Sequence, residues 1–204
     1  MHDPHVQVMN YEVSSEEWVT YQNPKPISFS NELGAFDLGD KRLRITPAKH
    51  FPNEMEARSS VEPFLRDWEI NTDLQLNIGM LRFKFESVEV IDRDPPPAGS
   101  PVIINMKVGS VAWGGVKCSI GLIPSEYPQP PKTFHATPAV QSVYDRWIGF
   151  RSGNEPLQSM AYFVLTSLEA AVGESKDSRK RAASSFQIDL PVLKKNGRIK
   201  LEQK

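Results

Sequence analysis

Residues 68 to 78 alternate between two chemistries, with Trp68, Ile70, Thr72, Leu74, Leu76 and Ile78 on one side and Glu69, Asn71, Asp73, Gln75 and Asn77 on the other. Successive side chains of a strand point to opposite faces of a sheet, so a period of two predicts a long strand with one buried and one wet face. One-sided burial belongs to antiparallel sheets rather than parallel ones. This segment therefore commits the chain to an antiparallel sheet packed on one side.

The flanking segments extend that sheet. Val6 to Val13, Trp18 to Tyr21 and Ile27 to Phe29 read as short edge strands, since Pro24 and Pro26 cannot donate in a ladder. Phe36 and Leu38 face Leu43 and Ile45 across a Gly39, Asp40 turn, with glycine supplying the positive φ. From Asn53 the period becomes helical: Val61, Phe64, Leu65 and Trp68 recur at helical steps behind a capping residue, predicting one short helix near 54–67. Pro63 fits only near the first turn, so the helix starts near Ser59 or kinks there. After Gly79 the apolar parity runs through Leu81, Phe83 and Phe85 and then slips to Val88 and Val90, which requires a bulge near Ser87. Val102 to Val108 and Val111 to Ile120 complete a meander, with Gly114 and Gly115 reading as a second bulge.

Five prolines between Ile123 and Pro138 fit neither helix nor central strand and predict a linker over 123–138. Beyond it, Val140, Val143, Tyr144 and Trp147 form a helical stripe. A second helix from Leu157 to Val172 is apolar most of the way round, with Glu169 its sole charge, so other protein must cover it. The expected class is α+β: an antiparallel sheet domain over 1–122, sandwich- or barrel-like, then a small helical bundle over 139–204.

The formal net charge of −1 hides an asymmetry. Lys176 to Lys204 hold nine basic and three acidic residues, a balance of +6, which leaves −7 on the preceding 175 residues. Arg179, Lys180, Arg181, Lys194, Lys195 and Arg198 are the candidate nucleic-acid contacts on that basic end, which can equally dock on the acidic body or be a solvated face. One cysteine, Cys118, excludes an internal disulfide and fits a reducing, cytoplasmic location. The first ten residues predict no signal peptide, and no apolar run approaches the roughly 20 residues that span a bilayer, so no membrane association is expected.

Chemistry-bearing residues do not converge. His2, His5, His50 and His135 lack ligand spacing, and a His2, Asp3, His5 terminus alone cannot fix a coordination sphere, so no metal is expected. Cys118 has no base near it in sequence and reads as a small buried hydrophobe. Gly109 to Gly115 opens no helix and so makes no phosphate loop. Leu81 to Phe85 interleaves aromatic and basic residues as a base-stacking strand would, but the two kinds fall on opposite faces, as in an ordinary amphipathic strand. Glu89, Asp92 and Asp94, at a strand end beside Arg93, form the one candidate polar cluster, which could serve hydrolysis if a histidine joined it. No catalytic residue and no cofactor is assigned.

Trp147 and the run from Gly153 through Leu168 and Glu169 loosely resemble helices of the bacterial HEPN-like bundles. That resemblance implies an RNA-cleaving defence or toxin protein with an arginine four to six residues before a helical histidine. The nearest match here, Arg44 with His50, straddles Pro47, and no histidine follows position 135, so the resemblance implies a relative without the catalytic motif. The run Val61 to Glu69, with Val90 to Pro96, resembles uncharacterised bacterial proteins, which carry no activity across. The expected function is therefore non-enzymatic binding or assembly, with a second copy or a protein partner engaged through the helical part. The alternative is nucleic-acid or HEPN-like RNA handling through the basic end.

Overall fold

A computed structural model of the chain describes residues 3–94, 122–173 and 177–196, the last three as backbone alone. The expected strands at 102–108 and 111–120, Gly114, Gly115, Cys118 and Arg198 lie outside these residues, as do the side chains of Lys194 and Lys195. Two compact units divide between His135 and Ala136.

The first unit is an antiparallel sheet in the order β2-β3-β4-β1-β5, not closed into a barrel and, among the described residues, covered on one face by a helix. Its strands are β1 (Pro4–Ser14), β2 (Ile27–Asn31), β3 (Gly34–Gly39), β4 (Arg42–Pro47) and β5 (Arg82–Asp92), and its helix is α1 (Glu54–Gln75). β1 was expected at an edge, yet it lies between β4 and β5. Its proline is the first residue, where no ladder bond is lost, while β2, hemmed by Pro24 and Pro26, takes the margin.

Local chemistry sets the hairpin and the bulge. Phe36 pairs with Ile45 and Leu38 with Leu43, the expected register. The positive φ falls on Asp40 (50°) and Lys41 (60°), the pair a two-residue primed turn demands, and Gly39 is the strand residue opposite Arg42. Between β1 and β5 the register passes from Asn10–Ser87 to Tyr11–Phe85, so Glu86 is the extra residue. That bulge, beside the expected Ser87, returns Val88 and Val90 to the core face already held by Phe83 and Phe85. The bulged Glu86 accepts two hydrogen bonds of 2.9 Å from Arg42, spanning β1.

The strand expected over 68–78 does not exist; α1 runs from Glu54 to Gln75 through most of it. Asn53 caps it, accepting from the Glu56 amide at 2.9 Å while its own amide donates to the Glu56 carboxylate at 2.7 Å. Arg58 braces the first turns against Glu54 and Glu62 at i±4. Pro63 sits well inside the helix and forfeits one ladder bond, a cost offset by the apolar stripe Ala57, Val61, Leu65, Trp68 that the helix buries on the sheet. The alternation is coincidental: Trp68, Ile70 and Thr72 are buried, but so are Asp67, Glu69, Asn71 and Asp73, whereas Leu74 and Leu76 are exposed.

Trp68 meets Phe29 of β2 at 5.6 Å, Phe64 at 6.2 Å and Phe83 of β5 at 5.1 Å. The proline-rich segment read as a linker is laid on this unit for most of its length. The Trp68 indole donates to the Pro128 carbonyl at 3.1 Å, Tyr127 is buried beside Tyr21, and its hydroxyl accepts from the Lys41 amide at 2.9 Å.

The second unit contains α2 (Pro138–Arg151), α3 (Leu157–Ala171), α4 (Ser178–Ser185) and α5 (Leu190–Asn196). Thr137 caps α2 and Pro138 opens it. Leu165, Ala182 and Leu193 form the small core, flanked by Leu168, Val172, Ala183 and Ile188. Arg146 lies over the Phe163 ring at 4.7 Å and bonds Glu155 at 2.8 Å, tying α2 to α3.

Helix and strand readings of 68–78 predict different mutational profiles. Trp68→Ala should cost about 3–5 kcal/mol, and Leu74→Ala no more than about 0.5 kcal/mol. Comparable losses at both positions in urea unfolding would restore the strand.

Candidate functional site

The second half of α1 collects the unit's buried acids. Asp67, Glu69 and Asp73 are all less than a tenth exposed, an unusual density for carboxylates. Each reaches a donor outside the helical ladder. Glu69 accepts from the Phe83 amide of β5 at 2.7 Å and from Arg66 at 3.0 Å. Asp73 takes a two-pronged grip from Arg82 at 3.0 and 2.6 Å and also accepts from the Gly79 amide at 3.0 Å. Asp67 meets the ring of His135 at 3.0 Å.

These contacts follow from the chain's route. α1 must turn back into β5 within residues 76–81, and Gly79 makes that turn at φ +77° with its carbonyl accepting from Glu16 at 2.8 Å. Asp73 therefore staples the turn, while Glu69 accepts from the Phe83 amide near the start of β5. A cleft of about 520 Å³ runs beside them, between Asn71, Gln75 and Met80 on one wall and Glu126, Tyr127 and Gln129 on the other. Burial raises the Glu69 pKa from its ordinary value, against the opposing pull of the Phe83 amide, Arg66 and Arg82. Such a carboxylate resembles a general acid, but its oxygens face an amide and a guanidinium, so the arrangement holds β5 to α1 rather than presenting a proton to a ligand.

The sequence-predicted cluster is split. Glu89 is exposed in β5, and Asp94 is exposed just beyond it. Asp92 turns its carboxylate to backbone amides, accepting from Asp3 at 2.9 Å and from Asp94 at 3.0 Å. His50 approaches this end of the sheet through Asp3 at 3.5 Å, whereas His135 joins α1. Among the described residues no three His, Cys, Asp or Glu side chains can hold a metal ion.

The basic candidates of the second unit are partly engaged with acids of their own unit. Arg179 bonds Glu169 at 2.5 Å and Lys180 meets Asp177 at 3.0 Å, while Arg181 is exposed. Sequence reasoning missed two groups: the buried acids of α1, of which Glu69 and Asp73 read as a wet strand face, and a stacked pair of rings, His5 and His50, 5.1 Å apart. The available signal was Asp73 spaced before Gly79 and Arg82, an acid, a turn and a cation in order.

Two consequences can be measured. Arg82→Leu, which strips the guanidinium from a fully buried carboxylate, should destabilise the protein by about 3–5 kcal/mol, and a change under about 1 kcal/mol would remove the staple from the account. For Glu69, the folded pKa lies above the unfolded one, so its stabilising contribution is fully present below about pH 4.5 and is lost as pH rises through the folded value. Glu69→Gln should therefore gain stability relative to the parent between about pH 4.5 and about pH 7, read as the difference in urea midpoint; a difference that stays constant with pH contradicts it.

Comparison of the chain with protein-family models, curated proteins and solved structures found no match, so its function is read from its own residues.

Proposed function

We propose that this is a non-enzymatic binding or assembly protein whose helical unit pairs with a second copy of itself. The observation that carries the reading is α3. It is apolar most of the way round, yet Leu165 is its sole buried residue, and Leu157 and Tyr162 are 54 % and 69 % exposed. A helix of that composition is normally surrounded by protein.

A second copy suits this surface better than a charged ligand. Glu169 is the one charge on α3, and Arg179 already neutralises it, so the helix offers no field to select a partner of opposite sign. Gln158, Ser159 and Thr166 around Tyr162 are small or neutral, which permits close approach of an identical face across a two-fold axis. The unit is also small for independent stability, and pairing is a common supplement at that size. Polar groups in the sheet unit support the non-enzymatic reading, because its buried carboxylates are taken up by Arg66, Arg82, His135 and backbone amides.

The nucleic-acid alternative draws less support, since Arg179 and Lys180 already face acids of their own unit. A HEPN-like ribonuclease reading draws no support from Arg44 and His50, which lie in β4 and in the loop after it rather than on a helix.

Light scattering behind size exclusion should give a mass near twice 23.0 kDa, and Tyr162→Asp or Leu157→Asp should return it toward one chain without loss of helical signal. A mass of one chain for the parent protein at tens of micromolar overturns the proposal.

A further inference from the structure

We propose that the stacked pair of His5 and His50 is an acid-released clamp that holds the loop between β4 and α1 against the start of β1. The rings lie 5.1 Å apart and only 13° from parallel. The residues that follow them in the chain are joined as well, since the Val6 amide donates to the Phe51 carbonyl at 2.9 Å. Ring stacking and that single backbone bond thus fasten the same two segments at adjacent positions. The loop they fasten leads directly into Asn53, the cap of α1.

The chemistry of the pair is asymmetric. His5 is 9 % exposed, and its Nδ1 is buried without a hydrogen-bond partner. A neutral ring tolerates this, because an unused lone pair is a modest loss. Protonation would place a new N–H donor and a positive charge at the same buried spot, with no acceptor. Around it stand Arg93 at the end of β5 and His50 from the loop, both opposing the charge, and Asp3 on its own strand, favouring it. Two further acids stand at that end: Asp92, which holds the amides of Asp3 and Asp94, and the exposed Asp94 itself. His50 Nε2 lies 3.5 Å from the Asp3 carboxylate, so the two rings differ in their polar neighbours.

Burial first, then Arg93 and His50, lower the His5 pKa below its ordinary 6.5, with Asp3 opposing. A histidine with a depressed folded pKa binds fewer protons folded than unfolded, so its stabilising contribution is present above about pH 6.5 and is lost as pH falls toward the folded value. The part affected is local. The Trp68 layer contains no histidine, so acid should open the start of β1 and the loop at 48–52 while the rest of the unit stays closed.

Amide hydrogen exchange on the full chain tests this, with rates corrected for intrinsic chemistry at about pH 7 and about pH 5. Val6 should lose protection several-fold on acidification while Ile45, in the middle of the β3–β4 hairpin, keeps its own. Equal Val6 protection at both pH values overturns the clamp, as does a loss that Ile45 shares in full. His5→Phe keeps an aromatic ring in the stack without a titrating group and should abolish the acid step; a step that survives in that variant also overturns the proposal. Should His5→Phe fail to fold, His50→Phe removes one of the two opposing charges and should move the step to higher pH, and an unmoved step counts against the clamp.

Discussion

One indole joins the margins of the first unit. In a flat sheet, β2 and β5 would stand about 19 Å apart, four strand spacings, yet both send a phenylalanine to the same Trp68 ring, which brings Phe29 and Phe83 within about 11 Å of each other. Strand twist alone seldom brings margins so close, and the bulges add to it: an extra residue at Glu86 on β5 and another at Gln7 on β1 each bend the ladder. Curling the sheet around α1 lets one helix reach residues of both margins. The same ring then holds the segment after Leu122 through its N–H, so the helix, both margins and the proline-rich segment share one anchor.

This geometry explains why polar residues fill the second half of α1. Once a helix is enclosed on several sides, its solvent face disappears, and positions that would be wet on an ordinary amphipathic helix must find donors inside. Glu69 and Asp73 find them in amides of β5 and of the preceding turn, and in Arg66 and Arg82. Ionised groups so placed do not by themselves add stability beyond a well-packed apolar substitute. They specify instead, because a helix shifted by one residue would leave a carboxylate facing apolar strand residues with no donor. The raised pKa of Glu69 is the trace of that arrangement, with burial outweighing its hydrogen bonds.

Which features were legible in the sequence follows from how local their causes are. The β3–β4 register was readable because apolar parity and turn length decide it within twelve residues, although the positive φ fell one step later than glycine suggested. The bulge at Glu86 was readable because Val88 and Val90 otherwise point the wrong way. The helix over 68–75 was not, since its acids acquire their reason only from Phe83, Gly79 and His135, residues that folding brings in. A period of two in a helix rotates apolar positions round the whole axis, and where α1 is buried on every side, over residues 67–73, it accepts that pattern as readily as a strand does. The His5–His50 stack was hidden for the same reason, its members being separated by four strands' worth of chain.

The two units solve the burial problem differently, and the difference bears on where function resides. In the first, a single helix, a curled sheet and a tethered segment leave Val6, Met9, Phe36, Leu43, Ile45, Val61 and Trp68 wholly covered, and the acids inside are matched to donors. In the second, Tyr144, Leu165, Ala182 and Leu193 are the buried residues among those described, although α3 is the most apolar of the described helices. Since transfer of apolar surface from water contributes about 25 cal/mol per Å², half-exposed Leu157 and Tyr162 represent stabilisation left uncollected by the isolated unit. The first unit thus buries its apolar face and matches its interior acids to donors, whereas the second leaves Leu157 and Tyr162 uncovered, and that uncovered surface is the one the proposed pairing would use.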